Sequence, residues 1–479
     1  MSRPIPSENA DLQTWLAYLE TLHKSAIDLG LERINAVARK LDLKLPFIKI
    51  TVGGTNGKGS TCAMLEAILL AAGYKVGVYT SPHLIRFNER IHVNGAEARD
   101  SDIVAQLHVI ERTRGDVSLS YFEYTTLAAL MLFEQRGVDV AVLEVGLGGR
   151  LDAVNLVDTD CAIITSVDID HAEYLGNTRE KIGWEKAHIF RPGKPAICAD
   201  PMPPATIIEY ASEIGADLWL FGKDFNYSGD RQQWAYGGRG QRRNALAYPA
   251  LRGANQLLNA SAALAALEAL HPALAVPAQA VRIGLSQVDL PGRLQILPGT
   301  PVVVLDVAHN PHAAAALGQS LDNMGRFQKT HAVVGMLGDK DIEGVIGKLA
   351  SRVDSWYCAT LEGPRGTTGQ ALAAHVRKVL GERAALAGAG QPQPTGTQAG
   401  REDSGHSAQA PADDGHRPGV RTVAPRMEPV IEATVSSFDN PAQAFTEARK
   451  QAGGNDRILV FGSFSTVGPV LGLLGRATA

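Results

Sequence analysis

The segment from Ile48 to Thr61 combines an apolar, β-branched run with a glycine-rich turn that carries a lysine and two hydroxyls. Glycines let the backbone wrap around an anion and point N–H groups at it, and a following helix N-terminus favours negative charge. Lys58 adds a positive charge, and the hydroxyl of Ser60 or Thr61 could hold Mg²⁺. The strict Walker A spacing is not kept, because a valine replaces the first glycine and Gly59 separates Lys58 from Ser60. The segment predicts a cradle for a nucleoside triphosphate, with a plain structural turn as the alternative.

Acidic and imidazole side chains stand at the ends of two further apolar runs. Glu144 ends the first run, and a glycine-rich stretch that closes on Asp152 follows it. A carboxylate is expensive to bury without a partner, so we expect Glu144 to face Mg²⁺ or another charged group rather than an ordinary salt bridge. His171 ends the second run, beside Asp168 and Asp170. A neutral imidazole oriented by a carboxylate can ligate a metal ion, although a lone histidine is more often structural.

Two candidates in the first half of the chain carry a weaker signal. Ser81 lies within Thr80-Ser-Pro-His-Leu84 after a short apolar run, where serine and proline usually form only a turn. Lys186 lies in a helix-like segment, Trp184–Phe190, and could contact phosphate. By charge alone, however, a helical lysine more often faces solvent.

The second half contributes polar groups after its own apolar runs. Asp306 and the turn His309-Asn-Pro follow one run, and Gly335–Lys340 and Gly462–Phe464 follow two others. Together they suggest a substrate wall opposite the nucleotide. No Cys/His spacing supports a zinc site, and no G-x-S-x-G elbow supports a Ser-His-Asp hydrolase.

Short β-branched runs alternate with helix-like patterns and must position these residues. The predicted strands are Phe47–Val52, Val76–Thr80, Val138–Val145, Cys161–Val167 and Pro195–Ala199, and the predicted helices are Ser60–Ala72, Tyr124–Gln135 and Asn255–Leu270. This alternation predicts an α/β fold whose first part is a P-loop ATPase domain with a mostly parallel, doubly wound sheet. Because ligands bind beyond the carboxyl ends of parallel strands, the polar segments after these strands are expected to meet at one crevice.

A second alternation begins near Leu297. Its predicted strands are Val302–Asp306, His331–Gly335, Trp356–Ala359 and Ile458–Gly462. We therefore predict an ATP-binding domain over residues 1–297 and a smaller, Rossmann-like α/β domain over residues 298–479. Residues 387–419 contain no Val, Ile, Leu, Met, Phe, Trp or Tyr. Such a segment cannot bury enough apolar surface to order itself, so we interpret it as a disordered insertion, with a docking role as the alternative.

The bulk properties exclude several classes of protein. At 479 residues, with 45% hydrophobic and 20% charged residues, the chain is expected to form a globular protein of at least two domains. A net charge of −4 argues against a nucleic-acid partner. The four cysteines are far apart in the sequence, which predicts free thiols in a reducing compartment. No apolar stretch reaches the roughly 18 residues that cross a bilayer, so no membrane partner is expected and the protein is predicted to be cytoplasmic.

The motifs, taken together, resemble the folylpolyglutamate synthase family, and most closely its bifunctional bacterial dihydrofolate synthase/folylpolyglutamate synthase branch. The matching strings are Ile27-Asp-Leu-Gly-Leu31, Gly54-Thr-Asn-Gly-Lys-Gly-Ser60, Ser81-Pro-His-Leu84, Tyr121-Phe-Glu-Tyr-Thr125, Glu144-Val-Gly-Leu-Gly-Gly-Arg-Leu-Asp152, Asp170-His171, Glu185-Lys-Ala187, Leu290-Pro-Gly-Arg293, Asp306-Val-Ala-His-Asn-Pro311 and Gly462-Ser-Phe464. They occur in family order and span nearly the whole chain. Two positions depart from the family pattern: Ser60 stands for a threonine, and His188 replaces a glycine beside Lys186.

The resemblance implies a role for each candidate. ATP phosphates would be held by Thr55, Asn56, Gly57, Lys58, Gly59 and Ser60, with Asn259, Arg293 and Asp306 completing the nucleotide site. Mg²⁺, at two sites, would be held by Ser81, Glu144 and His171, and Lys186 would be carboxylated by CO₂. The pterin pocket would be lined by Ile27, Asp28, Leu29, Tyr121, Phe122, Glu123, Leu151 and Asp152, and the incoming glutamate would meet His309 and Ser463. Lys58, Lys186, Asp152 and His309 would take part in catalysis.

The activity implied is the ATP-dependent joining of L-glutamate to 7,8-dihydropteroate and to reduced folates through an acyl phosphate, by a monomer. Three alternatives remain open at this point. A peptidoglycan ligase of the Mur type would use the same chemistry, although the strings Ile27–Leu31 and Tyr121–Thr125 argue against it. A folylpolyglutamate synthase could lack dihydrofolate synthase activity. A nucleotide-dependent switch would not need the cluster Asp306–Pro311.

Overall fold

The first part of the chain forms a mostly parallel sheet of eight strands. The computed structural model describes residues 4–7, 9–23, 25, 27–229, 232–389 and 433–475. The strands are β1 Ile48–Gly53, β2 Val76–Tyr79, β3 Ile91–Val93, β4 Ala96–Glu97, β5 Val140–Glu144, β6 Cys161–Ile164, β7 Pro195–Cys198 and β8 Asp217–Leu220. They lie in the order β4-β3-β2-β5-β1-β6-β7-β8, and only β3 and β4, at one edge, run antiparallel to their neighbours.

Helices cover both faces of this sheet. They are α1 Leu12–Leu19, α2 Glu32–Lys40, α3 Lys58–Ala71, α4 Asp100–Arg114, α5 Tyr121–Arg136, α6 Ala172–Leu175, α7 Arg179–Ala187, α8 Ala205–Ile214, α9 Gln256–Ala269 and α10 Ala278–Gln287. Side chains alternate between the faces, so Cys161 and Ile163 pack with α3, α9 and α10 while Ala162 and Ile164 pack with α7 and α8. A small antiparallel sheet, β9 Asn226–Gly229, β10 Gln233–Gly237 and β11 Arg242–Ala247, extends the first of these cores.

The second part of the chain repeats this architecture on a smaller scale. Its strands are β12 Gln295–Leu297, β13 Val302–Leu305, β14 Thr330–Val334, β15 Ser355–Ala359, β16 Thr434–Phe438 and β17 Arg457–Phe461, in the order β12-β13-β17-β14-β15-β16. All neighbouring strands are parallel except β12 and β13. The helices are α11 Pro311–Asp322, α12 Ile342–Leu349, α13 Gly369–Ala389, α14 Pro441–Gln451 and α15 Phe464–Leu473. The first three pack on one face and the last two on the other.

The predicted fold class is confirmed, and the structure changes some boundaries. Helix α5 begins at Tyr121 rather than Tyr124, because Ser120 and Glu123 form a capping box at its N-terminus. The second sheet begins at Gln295, within the segment predicted as the first domain, so we propose that the domain boundary lies just before this strand. Helix α13 extends through Ala389, so the first residues of the segment 387–419 are helical. Residues 390–419 lie outside the described residues.

Two further expectations concern the compartment. All four cysteines are free and buried, as predicted. Among the helices that the structure describes, none is both long and apolar enough to cross a bilayer.

Candidate active site

One cavity of about 1110 Å³ lies between the carboxyl ends of the strands of the two sheets. The predicted site residues that line it are Ile27, Asp28, Leu29, Thr55, Asn56, Gly57, Lys58, Gly59, Ser60, Ser81, Tyr121, Phe122, Glu123, Glu144, Leu151, Asp152, His171, Lys186, Asn259, Arg293, Asp306, His309 and Ser463. The crevice expected from the strand ends therefore exists, and residues of both predicted domains line it.

The loop between β1 and α3 has the backbone that an anion cradle requires. Gly54 and Gly57 have φ angles of +142° and +90°. A Cβ atom on Gly54 would lie 2.0 Å from the Thr165 hydroxyl oxygen, and one on Gly57 would lie 2.5 Å from Asn259 Oδ1, so only glycine fits at both positions. Lys58, the first residue of α3, folds back over the loop and donates to the carbonyl oxygen of Gly54 at 3.1 Å. A positive charge and a helix N-terminus thus lie at the same place.

The residues after β6 hold this loop in position. The Thr55 N–H donates to the Ser166 carbonyl oxygen at 2.7 Å, and the Asn56 N–H donates to the Ser166 hydroxyl at 3.0 Å. The Thr165 hydroxyl donates to the Asn56 carbonyl oxygen at 2.7 Å. These contacts fix two residues of the loop and leave the first turn of α3 facing the cavity.

Glu144 is a buried carboxylate at the end of β5 with 5% of its surface exposed. Its Oε2 accepts a hydrogen bond from the Ser81 N–H at 3.1 Å. Burial raises the pKa of Glu144, against the positive charge of Lys58 and the hydrogen bond from Ser81, which lower it. A carboxylate in this position would gain from a cation beside it.

His171 also lines the cavity and, like Glu144, lies within reach of the charge of Lys58. Its Nδ1 is buried without a hydrogen-bond partner, and its Nε2 lies 3.1 Å from the Lys340 ammonium, which donates to Asp170 Oδ1 at 2.6 Å. Burial and the charge of Lys340 lower the pKa of His171 to about 4, so the imidazole is neutral at pH 7. A neutral imidazole and a buried carboxylate, Glu144, are donors that fit a divalent cation.

These donors do not form a complete metal site on their own. In the described part of the chain, no three His, Cys, Asp or Glu side chains come together as a metal-binding group. A cation held by Glu144 and His171 would therefore complete its ligands with hydroxyl, water or phosphate oxygens, as Mg²⁺ commonly does in nucleotide sites.

Lys186, on α7, is buried, with 4% of its surface exposed. Its ammonium nitrogen donates to the carbonyl oxygen of Gly54 at 3.0 Å. Burial and the nearby charge of Lys58 lower the pKa of Lys186 to about 7. This lysine is therefore not the solvated helix residue that its charge alone predicts. Close approach of α7 requires Gly149, where a Cβ atom would lie 2.7 Å from the carbonyl oxygen of Glu185.

His188, the departure from the family pattern, packs on the outer side of the same helix. Its ring stacks on Tyr210 at 4.0 Å between centroids and lies 4.2 Å from Trp184. Its Nδ1 lies 2.7 Å from the Trp184 carbonyl oxygen, which places the ring at the C-terminus of α7. The added bulk therefore points away from Lys186 and has partners of its own.

Arg293, just before β12, and Asp306, directly after β13, bring charge to the cavity. The Arg293 guanidinium lies over the Phe464 ring, 4.9 Å from its centroid. Asp306 accepts hydrogen bonds from the Leu294 and Ala308 N–H groups, both at 2.8 Å. Burial raises the pKa of Asp306 and lowers that of Arg293. Both groups would gain from a polar ligand placed between the two sheets.

Contacts between the two parts of the chain surround the loop. Asn56 and Asn310 exchange side-chain amide hydrogen bonds of 3.2 and 3.0 Å. His309 Nδ1 lies 2.9 Å from the Val307 carbonyl oxygen, and its Nε2 lies 3.5 Å from Asp170 Oδ2. Burial raises the pKa of Asp170, but the hydrogen bond from His309 and the charge of Lys340 hold it well below its usual range.

The three segments assigned to the pterin pocket all line the cavity. The Gly30 N–H donates to the Leu151 carbonyl oxygen at 3.2 Å, and the Phe122 ring stacks on Tyr79 at 5.8 Å. Asp152 accepts hydrogen bonds from the Leu147 N–H at 2.8 Å and from the Val154 N–H at 2.9 Å. Burial raises the pKa of Asp152 to about 6 although these N–H groups oppose the shift.

The structure adds information on two side chains, Ser463 and Arg90. The Ser463 hydroxyl caps α15 by accepting from the Thr466 N–H at 3.1 Å, so this candidate for glutamate already has a structural partner. Arg90 also lines the cavity, where it donates to His83 Nδ1 at 2.9 Å and lies over the Tyr121 ring at 5.7 Å. Sequence reasoning missed Arg90, because nothing in its neighbourhood distinguishes it from a surface arginine.

Comparisons with known proteins agree with this architecture. The family model described as Mur ligase middle domain matches residues 52–267, and the one described as Mur ligase, glutamate ligase domain matches residues 292–393. By fold and site the chain therefore belongs to the wider class of Mur ligases, which its two matched domains define. The dihydrofolate synthase/folylpolyglutamate synthase of Escherichia coli is 44% identical to it, over 97% of this chain and 96% of that protein. The chain belongs to the dihydrofolate synthase/folylpolyglutamate synthase family.

Solved structures support the same assignment. E. coli FolC in complex with DHPP and ADP aligns with a TM-score of 0.84 and 43% identity, covering 99% of this chain and all of that one. A bifunctional folylpolyglutamate synthase/dihydrofolate synthase with Mn, AMPPNP and L-glutamate bound aligns with a TM-score of 0.81 and 40% identity, covering 98% of this chain and all of that one. The family resemblance found in the sequence is confirmed.

Proposed function

We propose that this protein is an ATP-dependent ligase that joins L-glutamate to 7,8-dihydropteroate and to the γ-carboxylate of reduced folates. The observation that supports the proposal is one cavity that is lined by the glycine loop, by Glu144 and His171 and by the three pterin-pocket segments. The named relatives, bound in their structures to ADP, DHPP, AMPPNP, Mn or L-glutamate, contain the same fold.

The loop from Thr55 to Ser60 would hold the ATP phosphates. Its glycine backbone and the N-terminus of α3 supply N–H groups, and Lys58 supplies a positive charge. Asn259, Arg293 and Asp306 would complete the nucleotide site from the far side of the loop. Because Asn259 comes from the first part of the chain and Asp306 from the second, bound ATP would join the two parts.

A divalent cation would be held by Ser81, Glu144 and His171. When bound, it would offset the negative charge that develops on the phosphates during transfer. We propose a second cation site beside Lys186, in which the amine has combined with CO₂ to give a carbamate and a released proton. The burial of Lys186 supports this, because burial disfavours its charged form and the neutral amine is the form that reacts with CO₂.

The reaction would proceed in two steps. The carboxylate oxygen of the pteroate or folate attacks the γ-phosphorus of ATP, which forms an acyl phosphate and releases ADP. The amine of L-glutamate then attacks the acyl carbon, which forms an amide and releases phosphate and a proton. Lys58 would lie where charge builds up on the transferring group, and walls from both parts of the chain would help to keep water from the acyl phosphate.

Asp152 would contact the acceptor substrate, and His309 would contact L-glutamate. Asp152 lies in the wall of the pterin pocket with both carboxylate oxygens held by backbone N–H groups. His309 and Ser463 would contact the incoming glutamate from the second part of the chain. With these roles, the acceptor and the amine of L-glutamate would approach the ATP phosphates from different sides of the cavity.

Replacing Asp152 by asparagine is expected to raise KM for 7,8-dihydropteroate. A neutral amide at this position keeps the shape but loses one acceptor and the charge, and a lost hydrogen bond to a charged group corresponds to roughly 10- to 100-fold. The measurement is steady-state ADP release, with Asp158→Asn, 82% exposed at its side chain, as the matched control. An unchanged KM for dihydropteroate would remove Asp152 from the pterin site.

The same variant tests the buried charge through the pH dependence of stability. Asp152 has a pKa of about 6 in the fold and 3.8 as its ordinary value, so the folded state binds more protons between these pH values. The free energy of unfolding therefore falls as pH rises through this range, by roughly 2 kcal/mol between pH 4.5 and pH 7. In urea unfolding, Asp152→Asn should not show this fall in the free energy of unfolding with pH. Identical pH profiles of stability for wild type and Asp152→Asn would contradict the raised pKa of Asp152.

Transfer of an isotopic oxygen tests the proposed chemistry itself. With dihydropteroate labelled by oxygen-18 in its carboxylate, one labelled oxygen should appear in each released phosphate, because the acyl phosphate breaks at its acyl carbon. Mass spectrometry of the phosphate gives the answer, with unlabelled dihydropteroate as the control. Phosphate without label would mean that ATP is hydrolysed by water and that no acyl phosphate forms.

A further inference from the structure

The walls of the pterin pocket are joined to one another by direct polar contacts. The loop Ile27–Gly30, the N-terminus of α5 and the turn at Leu151 each line the cavity but belong to distant parts of the sequence. The Gly30 N–H donates to the Leu151 carbonyl oxygen and so ties the first wall to the third. The first and second walls are tied by one side chain, Arg33, at the start of α2.

Arg33 bridges the two walls with all three nitrogens of its guanidinium. Its Nη1 lies 3.1 Å from Asp28 Oδ2, and its Nη2 donates to the Asp28 carbonyl oxygen at 2.8 Å. On the other side its Nε donates to Glu123 Oε2 at 3.3 Å. Arg33 itself is not among the residues that line the cavity, so any effect on a ligand must pass through Asp28 and Glu123.

Both partners of Arg33 have further hydrogen bonds of their own. Glu123 is buried, with 3% of its surface exposed, and its Oε2 also accepts from the Ser120 N–H at 2.7 Å in the capping box of α5. Asp28 is held from behind by His23 Nε2 at 2.7 Å, and His23 Nδ1 lies 2.8 Å from the Ser118 hydroxyl. Arg33 thus connects two anchored carboxylates and sets the distance between them.

The chemistry of the bridge requires an arginine. A planar guanidinium offers donors in several fixed directions, whereas an ammonium is a point charge that cannot reach two anchored groups in the same geometry. Glu123 also depends on this positive charge, since its Oε1 is buried and has no hydrogen-bond partner. Loss of Arg33 would leave a buried carboxylate with less compensation and free the loop Ile27–Gly30 to move.

We infer that Arg33 is a positioning residue that sets the width of the pterin pocket by fixing Asp28 against Glu123. The inference rests on the proposed function, because it takes the pocket between these walls to be the site of the pterin ring. It assigns to Arg33 an effect on acceptor binding, with no part in the handling of ATP or L-glutamate.

The test is a comparison of KM values for 7,8-dihydropteroate, ATP and L-glutamate in the full-length protein. Arg33→Ala should raise KM for dihydropteroate roughly tenfold or more and leave the other two within about twofold. Arg33→Lys should also raise KM for dihydropteroate, because the charge is kept but the bridge is lost. Arg39→Ala is the matched control, since Arg39 is exposed on the same helix and its Nε donates only to the Asn35 carbonyl oxygen. It should leave all three values within about twofold.

Each outcome decides the matter. An unchanged KM for dihydropteroate in Arg33→Ala overturns the inference about Arg33. The proposed function is not affected by that result as long as the wild type is active. A rise of all three KM values together, with a lower melting temperature, also overturns it, because general destabilisation then explains the result. If Arg33→Ala does not fold, the same comparison is made with Arg33→Lys. A wild type that ligates glutamate to neither dihydropteroate nor tetrahydrofolate overturns the proposed function and this inference with it.

Discussion

Replacing Lys58 by alanine is expected to lower kcat roughly 10³-fold while KM for dihydropteroate changes little. Lys58 is the first residue of α3 and folds over the loop, where it donates to Gly54 O at 3.1 Å and to Thr55 O at 3.2 Å. Its charge therefore lies at the mouth of the cradle before any phosphate arrives. A preformed charge stabilises the transferring phosphoryl group without a further reorganisation of the site, so its loss should act on the chemical step.

Single-turnover ADP formation at saturating ATP measures this effect on the chemistry directly. Lys44→Ala is a suitable control, because Lys44 is 66% exposed at its side chain and pairs only with an exposed carboxylate, Asp42. A Lys58→Ala protein with more than about a tenth of the wild-type rate would show that the loop backbone and the cation site suffice without the lysine.

Replacing Lys186 by alanine is expected to lower kcat by roughly 10²- to 10³-fold. A carbamate on Lys186 predicts the outcome of two further experiments. Lys186→Arg keeps a positive charge but cannot combine with CO₂, so it should be as inactive as the alanine variant. A short carboxylic acid added to Lys186→Ala should restore part of the activity, because it can occupy the vacated space and supply a carboxylate.

Carbon-13 NMR of wild type in labelled bicarbonate is the direct measurement, and the carbamate signal should be absent from Lys186→Ala. Lys181→Ala, an exposed lysine on the same helix, should keep both the signal and the activity. Activity retained by Lys186→Arg, with no carbamate signal in the wild type, would mean that Lys186 acts as a plain cation.

The fold was predictable from sequence because its strands are short, apolar and regularly spaced. The run before the glycine loop and the helical pattern after it became β1 and α3 within two residues of their predicted bounds. The antiparallel sheet β9–β11 was not predicted, since its strands are largely polar and only Trp234, Tyr236 and Leu246 are buried. Strands with so few buried residues can be recognised only when the helix against which they pack, α9, is known.

The site was predictable where residues follow strands and unpredictable where they do not. Glu144 and His171 came together because the carboxyl ends of β5 and β6 meet at one edge of a parallel sheet. Lys186 lies on a helix, and its burial is set by the approach of α7 to the turn at Gly149, which no local pattern encodes. Only the resemblance to a known family raised its importance.

Contacts between the two parts of the chain were beyond sequence reasoning. Asn56 and Asn310 are 254 residues apart, and Lys340 reaches Asp170 from a separate sheet. Polar side chains at the ends of β13 and β14 predicted that the second part of the chain forms a wall of the site. They did not predict which residues of the first part this wall would contact. Such pairing depends on the relative placement of two sheets, and a single sequence carries no record of it.

Glutamate incorporation with two acceptors shows whether the protein is a bifunctional ligase. Purified protein is given ATP, Mg²⁺ and L-glutamate with either 7,8-dihydropteroate or tetrahydrofolate, and ADP release is measured together with the mass of the product. We expect both acceptors to gain glutamate, with one ADP released for each residue added. Turnover with tetrahydrofolate alone would contradict the assignment of Tyr121–Glu123 and Leu151–Asp152 to dihydropteroate, and ADP release that ignores both acceptors would contradict a ligase altogether.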